Sequence, residues 1–437
     1  MKNWTRRDVL QTGAIAGGTL AAGGLWGGRV ARAQPSLSYT PEDGASLRVL
    51  RWNRFVAGDE ELWMENTRKF TEQTGVQVRV DNESWEDVRP KAAVAANVGS
   101  GPDIILGWYD DPHQYPDKLL DLTELCEYLG EKYDGWYDAA RTYGSRDGQW
   151  IALPLGASGA CVVYRESMVK AAGFEAFPDN TDDFLKLCQA LHQNGTPAGM
   201  ALGNAVGDGN TWCHWLLWAF GGKVVDEQGN VVLNSPETEA ALNYAQELYK
   251  VFIPGTTSWL DANNNKAFLA EQLGLTVNGI SVYYAAKSEG NPIAEDINHA
   301  NLPIGPAGTP TELHLFSQAM VMGYTDYPEA AKEYLRFMWE KEQYIPWQQA
   351  ALGYITQPLK AYEANPVWTE DPKHIPYRDC VSRMLTNGNA GPLGYASAAV
   401  MADYVVVNMV AEAASGSRSP KDAMARAARR AERYYRI

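Results

Sequence analysis

The stretch GPDIILGWYDDP (101–112) changes character halfway along. Ile104-Ile105-Leu106 is an apolar run suited to a strand buried on both faces. Gly107, two aromatics (Trp108, Tyr109) and two neighbouring carboxylates (Asp110, Asp111) follow at once. Open α/β sheets bind ligands beyond the carboxyl ends of their parallel strands. A core strand that ends in stacking surface and paired acids therefore points to such an edge.

The flanking sequence supplies the rest of the sheet. SLRVLRWNR (46–54) reads as a strand, and VQVRV (76–80) alternates Val76, Val78 and Val80 as a second. Between them Asp59 is placed to cap a helix with Leu62, Trp63 and Phe70 among its apolar positions, and Gly75 suits its end. A helical stretch over 92–98 leads into the strand at 103–106. Strand, helix, strand, helix, strand predicts an α/β fold with a mostly parallel sheet. Farther on, 151–155 and 160–164 read as strands on either side of LGASG, as do LGLTVNG (273–279) and QAMVMGY (318–324). Ser235-Pro236 and Ser419-Pro420 carry the signature of a helix N-cap followed by proline at the first helical position. At 437 residues the chain is too long for one sheet, and no flexible linker divides it. Two sheets joined by short strand-like hinges fit.

The first 33 residues stand apart. Arg6-Arg7, a Gly-rich apolar run and ARA (31–33) make a secretory signal peptide, and the twin arginines point to the Tat route. The expected mature chain starts near Gln34, and no later segment reads as long and apolar enough to span a bilayer. The product is expected to be an exported protein of the periplasm. Acidic residues outnumber basic ones, 53 to 38. The signal holds five basic residues and one acid, so the chain without it stands near −19. That balance disfavours nucleic acid and anionic membrane, which are bound by Lys and Arg. Cys126, Cys161, Cys188, Cys213 and Cys380 show no C-x-x-C; they permit up to two disulfides and leave at least one thiol, or all serve as buried packing residues.

Candidate site residues cluster where the first three strands end: Trp52 and Asn53, Trp85, then Trp108, Tyr109, Asp110 and Asp111. Each tryptophan also reads as core packing, and Asp110-Asp111 before Pro112 as a solvated turn. The functional reading is carboxylates that accept from ligand hydroxyls while aromatic faces meet sugar C–H surface. G-x-S-x-G, the phosphate-binding G-x-x-x-x-G-K-[ST] and the metalloprotease H-E-x-x-H are all missing. The six histidines lack metal-ligand spacing, and nothing implies a cofactor.

In its order of short patterns the chain resembles the carbohydrate-binding group of extracellular solute-binding proteins that serve ABC importers, the group that includes maltose-binding protein. The carriers are GSGPDIILGW with LLDLTEL, DGQWIALPLGASGACVVYRESMVKAAGF, FGGKVVDEQGNVVLNSPETEAAL, LTVNG, PEAAKEYLRFMWEKE, GYITQP and SPKDAMARAARRAERYY. The resemblance implies a two-lobed periplasmic-binding-protein fold, each lobe a central β-sheet flanked by helices, with hinge crossovers. One lobe would be 34–155 plus 304–352 and the other 156–303 plus 353–437, with Leu155-Gly156-Ala157 as a hinge. It places Asp110 at the family's sugar-binding aspartate, Asn210-Thr211-Trp212 on the second lobe's binding loop, and Asn278-Gly279 at a strand end. Ile280 stands where maltose binders stack a tryptophan, so Tyr283 or Tyr284 would substitute. Ser158 replaces an acidic ligand group, and Tyr395 lies near another aromatic platform. These departures speak against maltose itself.

The resulting expectation is a monomeric, non-enzymatic binding component that takes a carbohydrate or polyol between its lobes and docks on permease subunits. A secreted glycoside hydrolase and a receptor that docks on a signalling partner are the alternatives. The choice among sugar, polyol and sugar phosphate stays open.

Overall fold

A computed structural model describes residues 35–436, so the expected signal peptide lies outside the described residues. The chain opens with strand β1 (Ser46–Trp52), helix α1 (Ala57–Thr74), strand β2 (Gln77–Glu83), helix α2 (Trp85–Val98) and strand β3 (Ile104–Trp108). Strands β4 (Leu153–Ser158) and β5 (Cys161–Arg165) follow, then helix α3 (Asp208–Ala219) and strands β6 (Leu275–Asn278), β7 (Ile297–Ala300) and β8 (Leu315–Val321). Helices α4 (Lys341–Ala350), α5 (Tyr395–Ala402), α6 (Val405–Ala414) and α7 (Pro420–Tyr435) are the later ones that bear on the site.

Two sheets organise these elements. The first has the order β2-β1-β3-β8-β4, with β2, β1 and β3 parallel and β8 antiparallel to both its neighbours. Its central strand β3 is buried at every residue, which is why its sequence is a continuous apolar run instead of an alternation. The second sheet, β6-β5-β7, is antiparallel throughout. The expectation of mostly parallel pairing therefore holds for the first sheet's opening half and fails for the second sheet.

Several local expectations meet the structure directly. Gly75 ends α1 in the left-handed region at φ 79°, where a side chain would be strained. Ser235 and Ser419 accept from the backbone N–H three residues on, each followed by its proline. Asp59 does not cap α1. Its carboxylate takes Arg51 at 2.5 Å, the Trp52 indole N–H at 3.2 Å and the Trp347 indole N–H, from α4, at 3.0 Å. A fully buried guanidinium has a stronger claim on a carboxylate than neutral backbone N–H groups do. Helix α2 starts at Trp85 and not near 92: Ser84 is extended, Glu86 and Asp87 fill the first turn, and Pro90 forfeits one backbone bond without ending the helix. Strand β8 starts at Leu315, ahead of the expected 318, because Leu315 to Ser317 pair with β4.

The chain passes between sheets at Gly159-Ala160 and again between β7 and β8. The expected hinge, Leu155-Gly156-Ala157, lies inside β4. Gly156 has φ 132°, and a Cβ there would sit 2.0 Å from the Thr356 carbonyl oxygen. Ala157 and Thr356 exchange both backbone hydrogen bonds, at 3.1 and 2.7 Å, so this glycine lets a third segment lie against the strand.

Two further readings change. Residues 395–414 are long and apolar enough to cross a membrane, contrary to the expectation that no later segment would be. That stretch is broken at Tyr404 (φ 51°) into α5 and α6, and 61% of its apolar window is buried in the protein. All five cysteines are buried and free, with Cys161 and Cys380 sulfurs 3.8 Å apart and unbridged.

Candidate functional site

The ends of β1, β2 and β3 do deliver three tryptophans to one place. Trp85 and Trp108 stack with centroids 4.5 Å apart and planes within 16°, and Trp52 tilts against Trp108 at 4.9 Å. Trp52 and Trp108 are fully buried and form the backing. Trp85 alone of the three faces a cavity, with Phe55 edge-on to it at 4.9 Å. The Trp85 indole N–H donates to the Asn53 carbonyl at 3.3 Å, which fixes the ring's rotation; the Asn53 side chain is exposed. An aromatic face held by other rings is a rigid platform.

Polar groups from helix α3, strand β6, the end of β4 and the segments at 261 and 281 share the cavity with it. The cavity is lined by Asp208, Thr211, Asp261, Asn278, Ser281 and Ser158, besides aromatic and small residues that include Gly279 and Tyr354. Asp208 opens α3, and Thr211 lies one turn on, on the same face. Asp261 accepts from the backbone N–H groups of Val206, Gly207 and Asp208 at 2.8, 3.0 and 2.7 Å. A carboxylate from another segment thus caps this helix, whose own cap residue is Gly207, without a side chain to do so. Asp208 Oδ2 accepts from Asn264 at 2.7 Å and Asn278 at 3.3 Å; its Oδ1 has no protein donor among the described residues.

Burial shifts these acids. Desolvation pushes Asp261 up to about 6 in spite of its three N–H donors. Asp208 is driven well above the ordinary carboxylate range by burial first and by the Asp261 charge second. The cavity is narrow, with a volume of about 30 Å³. A sugar enters only if the walls part.

Of the residues expected at the site, the structure brings Trp85, Ser158, Thr211, Asn278 and Gly279 to the cavity. Asn210 and Trp212 flank Thr211 on α3 and turn away, Asn210 Nδ2 to the Val206 carbonyl and the Trp212 indole to Ala201 at 2.6 Å. Tyr109 is buried and donates to the Val206 carbonyl at 3.2 Å. Asp111 pairs with Arg89 at 2.7 Å and accepts the Trp108 N–H, so it holds the turn. Asp110 takes the Ser397 hydroxyl of α5 at 2.5 Å, and burial raises its pKa to about 6. Tyr283 donates to Asp371 at 2.6 Å, and Tyr395 is 52% exposed; neither lines the cavity. Sequence reasoning missed Asp208, Asp261, Phe55, Ser281 and Tyr354. Only the glycine-rich GNAVGDGN (203–210) hinted that backbone at the start of α3 would approach another group closely.

Residues 66–376 match the family of bacterial extracellular solute-binding proteins, and the chain belongs to that family of binding proteins. A curated relative, a probable ABC transporter-binding protein of Deinococcus radiodurans, is 26% identical over 44% of this chain; the chain spans about half of it, 47%. The maltose-bound T. maritima MalE3 superposes with a TM-score of 0.77 at 19% identity, covering 89% of this chain and 99% of that one. A sugar transporter from Arthrobacter chlorophenolicus A6 with bound laminaribiose gives 0.78 at 18%, with the same coverage. The fold is accordingly the two-lobed α/β architecture of maltose-binding-protein-like proteins.

Proposed function

We propose that the protein is the periplasmic substrate-binding component of an ABC importer, exported by the Tat route, which holds a carbohydrate or polyol between two lobes and hands it to the permease. The observation that carries this is the cavity itself: a backed tryptophan face together with Asp208, Thr211 and Asn278, the pairing of apolar ring and hydrogen-bonding groups that a polyhydroxylated ligand needs. With lobes taken as 34–155 plus 304–352 and 156–303 plus 353–437, Phe55, Trp85 and Leu315 come from one and Asp208, Asp261 and Asn278 from the other. Ligand that touches both favours the closed form, because parted lobes cannot make those contacts together. Trp85, Ser158, Asn278 and Gly279, with Asp208 and Thr211, are the binding residues of this reading.

A thermal-shift screen of the mature protein against sugars, polyols, amino acids and glycerol phosphate tests it. A ligand bound only by the native state adds about 2.7 kcal/mol at a hundredfold excess over its Kd. A rise in Tm with a saccharide or polyol, recovered unaltered, is the expected result. A shift with amino acids alone would move the ligand class, and turnover of a glycoside would replace binding with catalysis.

A further inference from the structure

We propose that the ligand is a polyhydroxylated amine, a sugar or polyol with one protonated amino group, held with that group against Asp208. This rests on the binding-protein reading above and sharpens its ligand. The residues that line the cavity include two carboxylates, Asp208 and Asp261, and no lysine, arginine or histidine. Their situations differ. Asp261 is spent on three backbone N–H groups at the start of α3. Asp208 is met only by the neutral amides of Asn264 and Asn278, both on Oδ2, and Oδ1 is open to a ligand.

The basic side chains by these elements are committed elsewhere, Arg89 to Asp111, Arg51 to Asp59, and His314, which accepts the Ala160 N–H, to Glu312. No cationic side chain lines the cavity, so Asp208, which burial and Asp261 push toward its neutral form, lacks the counter-charge that would hold it as a carboxylate. An ammonium supplies that charge and a short charge-assisted hydrogen bond. The other wall agrees with a cation. Trp85, backed by Trp108, presents the indole face that attracts positive charge most strongly. The Thr211 side chain, buried next to the Tyr109 hydroxyl, lines the cavity one helical turn from Asp208. A phosphate or uronate would meet two buried carboxyl groups and no cationic side chain, and is disfavoured.

Calorimetry at pH 7 on the mature protein with matched pairs tests the inference: glucosamine against glucose and N-acetylglucosamine, galactosamine against galactose, and glucamine against sorbitol. In at least one pair the amine binds at least tenfold tighter than its neutral parent. Asp208→Asn, which keeps the shape and removes the charge, brings that ratio to within twofold. The wild-type comparison decides the matter even if this variant does not fold. Neutral parents that bind as tightly as their amines overturn the inference and leave the binding-protein reading intact. A neutral ligand found in the broader screen, with every amine silent, does the same. If neither set nor the broader screen yields a ligand, both fall.

Discussion

Asp110 shows what burial does to one carboxyl group. Its side chain is fully buried, its Oδ2 takes the Ser397 hydroxyl, and its Oδ1 has no partner among the described residues. Desolvation outweighs the help of Ser397 and Asn387, and the folded pKa stands near 6 against an ordinary 3.8. A carboxyl whose folded pKa is raised contributes most below its unfolded pKa, and that contribution is lost as pH rises through the folded value. The window is therefore about pH 4 to 6. Asp110→Asn removes the ionisation and keeps an acceptor for Ser397. The variant should gain on the order of 2 kcal/mol relative to wild type between pH 4 and pH 7, read by urea unfolding at both. A difference that does not change with pH would mean that Asp110 ionises in the fold as it does in the unfolded chain. The sequence showed the acid and its neighbours; it could not show that α5, nearly 290 residues later, would close over it.

Elements were legible where their signal is local and obscure where a partner distant in sequence decides. Strand β3 announced itself as an apolar run, and the ends of α1 and α7 carried their own glycine and serine signatures. The start of α3 did not, because its cap is Asp261, 53 residues away and recognisable only once the backbone N–H groups converge on it. Helical geometry likewise sorted the stretch 210–212: of three neighbours expected at the site, rotation of about 100° per residue sends only Thr211 to the cavity. Strand β4 offers a test of such long-range dependence. Gly156→Ala puts a methyl 2.0 Å from the Thr356 carbonyl in a φ region that alanine resists, so it should cost at least about 3 kcal/mol in chemical denaturation. Gly173→Ala, also at positive φ but with nothing within 4 Å, should cost only about 1 kcal/mol. Equal losses at the two positions would show that the contact between β4 and the 356 segment yields freely.

At the scale of the whole molecule the cavity's narrowness sets the order of events. A cavity of about 30 Å³ cannot receive a hexose, and two of its lining residues are firmly held. Trp85 is stacked on Trp108 with Phe55 in edge contact beside it, and Asp261 is fixed to three backbone N–H groups at the start of α3. We expect entry by separation of the first-sheet wall from the α3–β6 wall as units, a motion on the microsecond to millisecond scale. If the form described here dominates without ligand, opening must come before binding. The observed rate, followed in stopped-flow by tryptophan fluorescence with Trp85 at the contact, should then rise with ligand concentration and level off at the opening rate. The affinity is also lowered by the fraction of molecules that are open, so a substitution that favours opening should raise the plateau and tighten binding together, until closure itself is lost. A rate that climbs linearly to the highest ligand concentration would place the open form in the majority and make closure the consequence of binding.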